Sequence, residues 1–279
     1  MNNMTRPTTD TVTQFVGSIP AAYDTHLGPL LFQFSAADLA RRVSDAVPGV
    51  SRILEVACGT GISTEYLWQA LAPGSEIVAT DLNDAMLDYA SAKRGALGNV
   101  SFQQADAQDL PFDDGGFDAV VCQFGIMFMP DKAKAFAEMA RMLRPGGLLA
   151  FNVWDSLDNN AVAKVSRDTI ASFFETDPPD FLSVPFGFHD IAPSRTLARN
   201  AGFSSPEVHT VSETIERPDA LTVARGFVEG NPTILQINER DGVDSETIVG
   251  AVATAIEALY GPAPLQVPLQ EIVFLARKP

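Results

Sequence analysis

The sequence predicts an α/β fold built around a mostly parallel sheet. Between residues 51 and 155, short apolar runs alternate with segments of helical character, which is the pattern of parallel strands joined by crossover helices. The most informative stretch is residues 53–61, where an apolar run breaks into a loop containing Gly59 and Gly61. A near-continuous apolar run is typical of a strand buried on both faces. The loop after such a strand is where open α/β sheets bind their ligands.

Five strands and three helices are expected in this region. The strands are predicted at residues 53–57, 76–80, 100–104, 117–123 and 148–153, and the helices at 64–72, 85–93 and 132–143. Asn83 or Asp84 can cap the second helix, because either side chain can accept a hydrogen bond from an unpaired backbone N–H. The third helix carries an apolar stripe and should stop at Pro145-Gly146-Gly147.

The flanking regions follow other patterns. An apolar and aromatic stretch at residues 23–34 precedes an amphipathic helix at 36–47. Residues 156–200 are rich in aromatic side chains and broken by prolines. Two further strands are expected at residues 207–214 and 270–276, with helical segments between them.

We therefore divide the chain into two parts. Residues 1–50 are expected to form an N-terminal helical cap segment, and residues 51–279 one α/β domain. Lid or insert elements are expected within that domain at about 156–200 and 217–265, since neither flank has enough apolar pattern to fold alone.

Composition narrows the class of protein and its compartment. The chain has 279 residues, 46% of them hydrophobic and 19% charged, which suits one large domain with additions or two small ones. The net charge of −16 argues against a nucleic-acid partner, because phosphate binding needs clustered Lys and Arg. Residues 1–10 lack the apolar core of a signal peptide, and no run approaches the ~18 apolar residues of a membrane span. Cys58 and Cys122 lack metal or disulfide spacing, so we expect a cytoplasmic protein with buried thiols.

Two features at predicted strand ends favour a nucleoside cofactor. Gly59 and Gly61 lack a Cβ, so the backbone there can approach a ligand closely. The following helix offers unpaired N–H groups. Asp81 ends the second strand, where a carboxylate can accept hydrogen bonds from both ribose hydroxyls.

A nicotinamide dinucleotide is the alternative cofactor, and it would make the protein an NAD(P)-dependent oxidoreductase. Its fingerprint requires a third glycine for close helix packing, and Thr64 occupies that position here. Tyr89 and Lys93 mimic the Tyr-x-x-x-Lys pair of short-chain dehydrogenases, but they lie too early in the chain. A catalytically silent nucleoside-binding or interaction protein is a second alternative.

Five motifs occur together, in an order and spacing typical of one enzyme family. They are the loop Glu55-Val56-Ala57-Cys58-Gly59-Thr60-Gly61, Asp81, Asp106-Ala107 with Leu110-Pro111-Phe112, Phe117-Asp118-Ala119-Val120, and Leu143-Arg144-Pro145-Gly146-Gly147-Leu148. This arrangement, from about residue 53 to 154, resembles the class I S-adenosylmethionine-dependent methyltransferases. Within that class it is similar to the small-molecule branch that includes the ubiquinone/menaquinone C-methyltransferases.

The resemblance implies a fold and a set of cofactor contacts. The fold would be a Rossmann-like, doubly wound sheet of seven strands, mostly parallel with an antiparallel last strand, plus a helical cap. S-adenosylmethionine would be the cofactor. The residues implied to bind it are Glu55, Ala57, Gly59 and Gly61 around the methionine end, Asp81 at the ribose, Leu82, Met86, Asp106 and Ala107 at the adenine, and Gln123 near the sulfonium.

The acceptor side has no fixed signature. Methyl transfer is an in-line displacement in which the protein chiefly supplies alignment, and a base is needed only if the acceptor must lose a proton. His189 and Tyr23 are candidate catalytic residues, although either could instead serve packing or the surface. Phe124, Phe128 and Trp154 are expected to line the substrate pocket.

The expected partner is a small, aromatic or apolar methyl acceptor, and a homodimer is compatible with the sequence. No metal site is expected, because the three histidines are scattered without ligand spacing.

Overall fold

The computed structural model describes residues 14–240 and 242–279, and it is built on one seven-stranded sheet. The polar segment at residues 1–10, expected to lack a signal core, lies outside the described residues. The strands are β1 (Arg52–Val56), β2 (Glu76–Asp81), β3 (Val100–Gln104), β4 (Phe117–Gln123), β5 (Leu143–Trp154), β6 (Glu207–Arg217) and β7 (Leu265–Arg277). Their spatial order is β3-β2-β1-β4-β5-β7-β6. Neighbours among β1 to β5 pair in parallel, whereas β7 runs antiparallel to both β5 and β6. The predicted α/β class and the antiparallel last strand are confirmed.

Helices flank this sheet. They are α1 (Ile19–Ala22), a π-helix (Tyr23–Phe32), α2 (Gln33–Ala46), α3 (Ile62–Ala70), α4 (Asp84–Arg94), α5 (Lys132–Met142), α6 (Ala161–Ala171), α7 (Ile191–Asn200), α8 (Ala220–Glu229), α9 (Thr233–Asn238) and α10 (Ser245–Tyr260). Successive residues of β1 enter two different apolar cores, with Ile53 in one and Leu54 in the other, because strand side chains alternate between faces. None of the helices within residues 14–240 and 242–279 is long and apolar enough to cross a lipid bilayer.

Local sequence explains most of the element boundaries. The Asn83 side chain accepts a hydrogen bond from the Met86 N–H at 3.0 Å, so Asn83 caps α4 as one of the two predicted candidates. The helix predicted at residues 36–47 is α2, and it continues directly from the π-helix, which contains Pro29. Proline lacks the N–H that an α-helical hydrogen bond would need at this position.

The start of the fifth strand differs from the prediction. We expected a strand at residues 148–153, whereas β5 begins at Leu143, which pairs with Phe117. The register then shifts, so that Leu148 pairs with Ala119 and the intervening residues form an irregularity. Gly146 has a φ of 77°, and its N–H donates to the Lys278 carbonyl at 2.8 Å. Helix α5 thus ends at Met142, and the Pro-Gly-Gly run lies inside the strand.

The strand order creates a cleft at one edge of the sheet. From β1 the chain proceeds outward to β2 and β3, and then returns to the other side of β1 to form β4 and β5. Loops after β1 and β4 therefore diverge at the carboxyl ends of these strands, which is the switch point where open α/β sheets bind ligands.

Candidate active site

A cavity of about 710 Å³ occupies this switch point. Loops after β1 to β4 and the end of β5 contribute to its wall, and so do the N-terminal helices and the segment after α6. Of the residues singled out from sequence, it is lined by Tyr23, Ala57, Gly59, Asp81, Leu82, Met86, Asp106, Ala107, Gln123, Phe124, Phe128 and Trp154. Glu55, Gly61 and His189 do not line it.

The loop after β1 takes an unusual backbone path. Ala57, Gly59 and Gly61 all have positive φ angles, of 56°, 57° and 82°. A Cβ at Gly59 would approach only Met86, at 3.8 Å, and Gly59 lines the cavity. Gly61 has another role, since a Cβ there would lie 3.0 Å from the Arg94 side chain. Gly59 thus keeps the cavity open, whereas Gly61 permits packing against α4.

Glu55, near the end of β1, stabilises this loop without lining the cavity. It is fully buried, and the hydroxyls of Ser63 and Thr64 both donate to its carboxyl group, with Thr64 at 2.6 Å. Burial raises the pKa of Glu55 to about 7, against the opposing effect of these hydrogen bonds. The pair of hydroxyls ties the first turn of α3 to the end of β1. A dinucleotide fingerprint needs a glycine at position 64 for close helix packing. Here Thr64 occupies that position, and its hydroxyl binds Glu55.

Asp81 is held with both carboxylate oxygens in place. One oxygen accepts from the Gly59 N–H at 2.8 Å, and the other accepts from the Asn83 N–H at 2.9 Å. Burial raises the pKa of Asp81, while these backbone donors oppose the rise. A carboxylate has about four acceptor positions, so two donors leave capacity on the side that faces the cavity. Beside it, Leu82 is 52% exposed and forms an apolar ledge.

Asp106 and Gln123 lie on the two sides of the same cavity. Asp106 accepts hydrogen bonds from Gln108, through the backbone N–H at 2.8 Å and the side-chain amide at 3.2 Å. Gln123 ends β4, and its amide donates to the Phe32 carbonyl at 3.3 Å. Its Oε1 is buried without a partner, which is costly for an acceptor and indicates a place where a bound group can donate.

The other half of the cavity is aromatic. Phe124 and Trp154 stack with ring centroids 4.0 Å apart, and Tyr23 stacks on Phe32 at 4.6 Å. We call this half the aromatic chamber, defined by Phe15, Tyr23, Phe32, Phe124, Phe128, Trp154, Phe181 and Phe186. These rings come from four separate parts of the chain and make this half of the cavity apolar and aromatic.

Comparison with known proteins identifies the fold's family. A family model described as a methyltransferase domain matches residues 54–151. The chain is 40% identical over 136 residues to the ubiquinone/menaquinone biosynthesis C-methyltransferase UbiE of Idiomarina loihiensis, covering 47% of this chain and 53% of that relative. It is 32% identical over 183 residues to the enzyme of the same name from Ectopseudomonas mendocina, covering 61% of this chain and 71% of that relative. The chain belongs to the S-adenosylmethionine-dependent methyltransferases.

The chain spans only about half the length of the Idiomarina relative. A solved structure matches a larger part of this chain than the Idiomarina relative does. Phosphoethanolamine N-methyltransferase 2 of Haemonchus contortus, in complex with S-adenosyl-L-methionine, is similar with a TM-score of 0.60 at 18% identity. The similarity covers 96% of this chain and 58% of that one, so nearly all of this methyltransferase shares the fold.

S-adenosylmethionine is accordingly the cofactor, and the residues present fit it. A side chain at Gly59 would fill the cradle between the β1 loop and Met86. The exposed Leu82 ledge is adjacent to the doubly held carboxylate of Asp81. Both features lie within one cavity, which is large enough for a ligand of drug size.

The two catalytic candidates occupy different environments. Tyr23 lines the cavity, and burial together with the nearby Asp81 holds the pKa of its phenol far above the ordinary value. It therefore keeps its proton at neutral pH and can donate a hydrogen bond but not act as a base. His189 has its Nδ1 2.9 Å from the Phe186 carbonyl and a side chain that is 39% exposed. His189 does not line the cavity, although its partner Phe186 does.

Sequence reasoning missed several residues that shape the methyltransferase cavity. Phe181, Phe227 and Asn231 line it from segments we described only as lid or insert. Asn152 and Glu271 were also missed, although both are polar residues in strongly apolar runs and both are fully buried. Asn152 Nδ2 donates to Glu271 Oε2 at 2.5 Å, and Asn152 Oδ1 accepts from the Phe124 N–H at 3.1 Å. This pair supports Phe124, whose φ is 50°.

Proposed function

We propose that the protein transfers a methyl group from S-adenosylmethionine to a small, planar, aromatic acceptor that carries no anionic group. The observation that carries this proposal is the continuity of one cavity, whose sheet-end half suits the cofactor and whose other half is the aromatic chamber. The names of the relatives favour an electron-rich ring carbon as the methylated atom, as in quinone C-methylation.

In this proposal the sheet-end residues bind the cofactor. Asp81 accepts from the ribose hydroxyls, because its two oxygens are already oriented by backbone donors. Ala57, Gly59 and Gln123 face the methionine end and the sulfonium, while Glu55 and Gly61 keep the loop in shape. The remaining proposed contacts are to the adenine, with Leu82 and Met86 on its face and Asp106 and Ala107 at its edge.

The charge of the lining supports an acceptor without phosphate or carboxylate groups. Among residues 14–240 and 242–279, the charged side chains that line the cavity are Asp81, Asp84 and Asp106, all of them acidic and all on the cofactor side. A buried anion without a cation as partner loses much of its hydration energy without compensation. An anionic acceptor would therefore be excluded, whereas a neutral ring gains area burial and stacking.

The chemistry chiefly needs alignment, and the proton that the acceptor carbon or hydroxyl loses on methylation would be released to solvent. Bound S-adenosylmethionine supplies an electrophilic methyl group and a neutral leaving group. Phe124 and Trp154 would fix the plane of the acceptor, and the Tyr23 hydroxyl would donate to an acceptor oxygen. Water is kept away by the rings of the chamber. Alignment of this kind contributes on the order of 7–11 kcal/mol to lowering a barrier.

The location we propose is the cytoplasm. Cys58 and Cys122 are both buried free thiols, which suits a reducing compartment.

Calorimetric titration tests the cofactor part of the proposal. We expect S-adenosylmethionine and S-adenosylhomocysteine to bind and NAD not to bind. Asp81→Ala should weaken adenosyl-ligand binding by ~1.5–3 kcal/mol, because hydrogen bonds to a charged carboxylate are lost. Asp88→Ala, an exposed carboxylate on α4, is the matched control and should leave affinity unchanged. Binding of NAD alone would contradict the proposal, and unchanged affinity in Asp81→Ala would contradict the ribose assignment.

Product mass spectrometry tests the acceptor part. Electron-rich phenols and hydroquinones would be assayed beside counterparts that carry one added carboxylate. We expect methylated product from the neutral member of a pair only. Equal turnover of the carboxylated member would refute the charge argument, and product from neither across the panel would favour a silent adenosyl-binding protein.

A further inference from the structure

A buried arginine connects the cofactor loop to the N-terminal helices. Arg94, at the end of α4, is only 7% exposed. Its Nη1 donates both to the Thr60 carbonyl, at 2.8 Å, and to Asp24 Oδ1, at 2.9 Å. Its Nε donates to Glu65 at 3.0 Å. One guanidinium thus contacts the glycine loop, the first turn of α3, and the π-helix.

Asp24 is the partner on the π-helix, and it is buried as well. Its side chain is 3% exposed and forms ion pairs with Lys93 and Arg94. Neither Asp24 nor Arg94 lines the cavity, whereas the adjacent Tyr23 does. A buried, multiply bonded ion pair is strongly disrupted when one partner is removed. Asp24 therefore fixes the turn that presents Tyr23 to the aromatic chamber.

The π-helix packs closely on two sides. On one side, a Cβ at Gly28 would lie 3.1 Å from the end of Ile62, the first residue of α3. On the other, Leu27 fits over Gly226 and Gly230, where added Cβ atoms would lie 2.7 and 3.1 Å from it. Gly226 belongs to α8, whose Phe227 lines the cavity. The π-helix therefore packs between the start of α3, which follows the cofactor loop, and α8, which contributes Phe227 to the cavity.

We propose that Asp24 and Arg94 are positioning residues that couple the seating of the π-helix to the shape of the cofactor loop. Cofactor binding then orders the aromatic chamber, and a seated π-helix strengthens cofactor binding in return, since coupling between two sites is reciprocal. This inference rests on the proposed function, because it requires that the β1 loop binds an adenosyl ligand.

A double-mutant cycle measured with S-adenosylhomocysteine tests the coupling without any acceptor. Asp24→Asn touches no cavity residue in the cofactor half, yet we expect it to weaken binding at least about fivefold, the lower end of typical couplings. Arg94→Gln should weaken binding at least as much. In the Arg94→Gln background, Asp24→Asn should have no further effect, because the connection is already broken. Asp114→Asn, which removes an ion pair with Arg141 that involves neither the π-helix nor α8, is the matched control and should bind normally.

Hydrogen exchange gives a second readout that a merely structural pair would not move. In the wild-type protein, S-adenosylhomocysteine should slow the exchange of amides in residues 23–32. In folded Asp24→Asn this ligand-dependent slowing should disappear, and Asp24→Glu, which keeps the carboxylate, should restore part of it.

The outcomes separate the inference from the function. Wild-type binding of the adenosyl ligand with unchanged affinity in folded Asp24→Asn would overturn the coupling and leave the function intact. Absence of adenosyl binding in the wild type would overturn both. If both variants fail to fold, wild-type exchange decides, and ligand that leaves residues 23–32 unaffected would overturn the coupling.

Discussion

Replacing Glu271 with glutamine should change how the stability of the protein depends on pH. Glu271 lies on β7, fully buried, with one oxygen 2.5 Å from Asn152 Nδ2. Burial raises its pKa to about 7 from an ordinary value of 4.5, and hydrogen bonding with Ser35 and Asn152 opposes this rise. On α2, Asp38 adds to the rise and Arg42 opposes it. Because the folded-state pKa is raised, the folded protein favours the protonated carboxyl.

The sign and size of the effect follow from this pKa. In the unfolded chain Glu271 ionises above about pH 4.5, while in the folded protein it stays protonated to about pH 7. The folded state binds more protons than the unfolded chain between these two pH values, so the contribution of Glu271 to the stability of the fold falls as pH rises. One pKa unit corresponds to about 1.4 kcal/mol, which gives a loss of about 2–3 kcal/mol between pH 5 and pH 8. With an unfolding entropy of about 2.1 cal/mol/K per residue, this is roughly 4 °C in Tm.

Thermal unfolding of the wild type and of Glu271→Gln, at a series of pH values from 5 to 8, measures this loss of stability. Glu271→Gln keeps an acceptor for Asn152 but places an NH2 group where a buried carboxyl oxygen was, so its absolute stability can be lower at every pH by about 1–3 kcal/mol. The diagnostic quantity is the difference in unfolding free energy between variant and wild type, which should move in favour of the variant as pH rises. Glu213→Gln, on the exposed face of β6, should show no such trend. A difference that is flat with pH would refute the reasoning.

Two further substitutions test the packing of the loops after β1 and β4 and the role of His189. Gly125→Ala should destabilise the protein by about 1–3 kcal/mol, because the added Cβ would lie 2.5 Å from the Ala57 Cβ. Gly250→Ala, where a Cβ meets nothing within 4 Å, is its control in the same melting assay, and equal effects would contradict the clash. His189→Ala should leave methyl transfer unchanged, since this side chain caps the Phe186 carbonyl outside the cavity. Lost turnover with normal cofactor affinity would instead establish His189 as a catalytic group.

The central sheet could be predicted because its information is local. The apolar runs at residues 53–57 and 117–123 correspond to β1 and β4 within one residue. A buried parallel strand needs only a short apolar run between turn signals, and that run is visible in the sequence itself. Asp81 could be placed for a related reason, since it ends β2, whereas Asp106 was assigned from the family resemblance.

The fifth strand shows where local patterns fail. Pro145, Gly146 and Gly147 are typical of a helix stop, and α5 does end just before them. Their place inside β5 depends on Lys278, which exchanges hydrogen bonds with Gly146 and Gly147 from the far end of the chain. A partner so distant in sequence leaves no local signal. The same holds for Asn152 and Glu271, which meet only because β5 and β7 are neighbours.

The acceptor side was less predictable than the cofactor side for a physical reason. The cofactor side lies at strand ends, which local patterns in the sequence reveal. The aromatic chamber is instead assembled from rings on the N-terminal segment, the segment after α6 and the sheet. Phe15, Phe128 and Phe181 contact one another although they lie in three separate segments. Phe15 also contacts Tyr23 on the π-helix, the segment whose seating we propose is fixed by Asp24 and Arg94. We expect selectivity in such a chamber to come from the exclusion of anions, because rings and carboxylates without a described cation beside them favour neutral planar acceptors over anionic ones of similar shape.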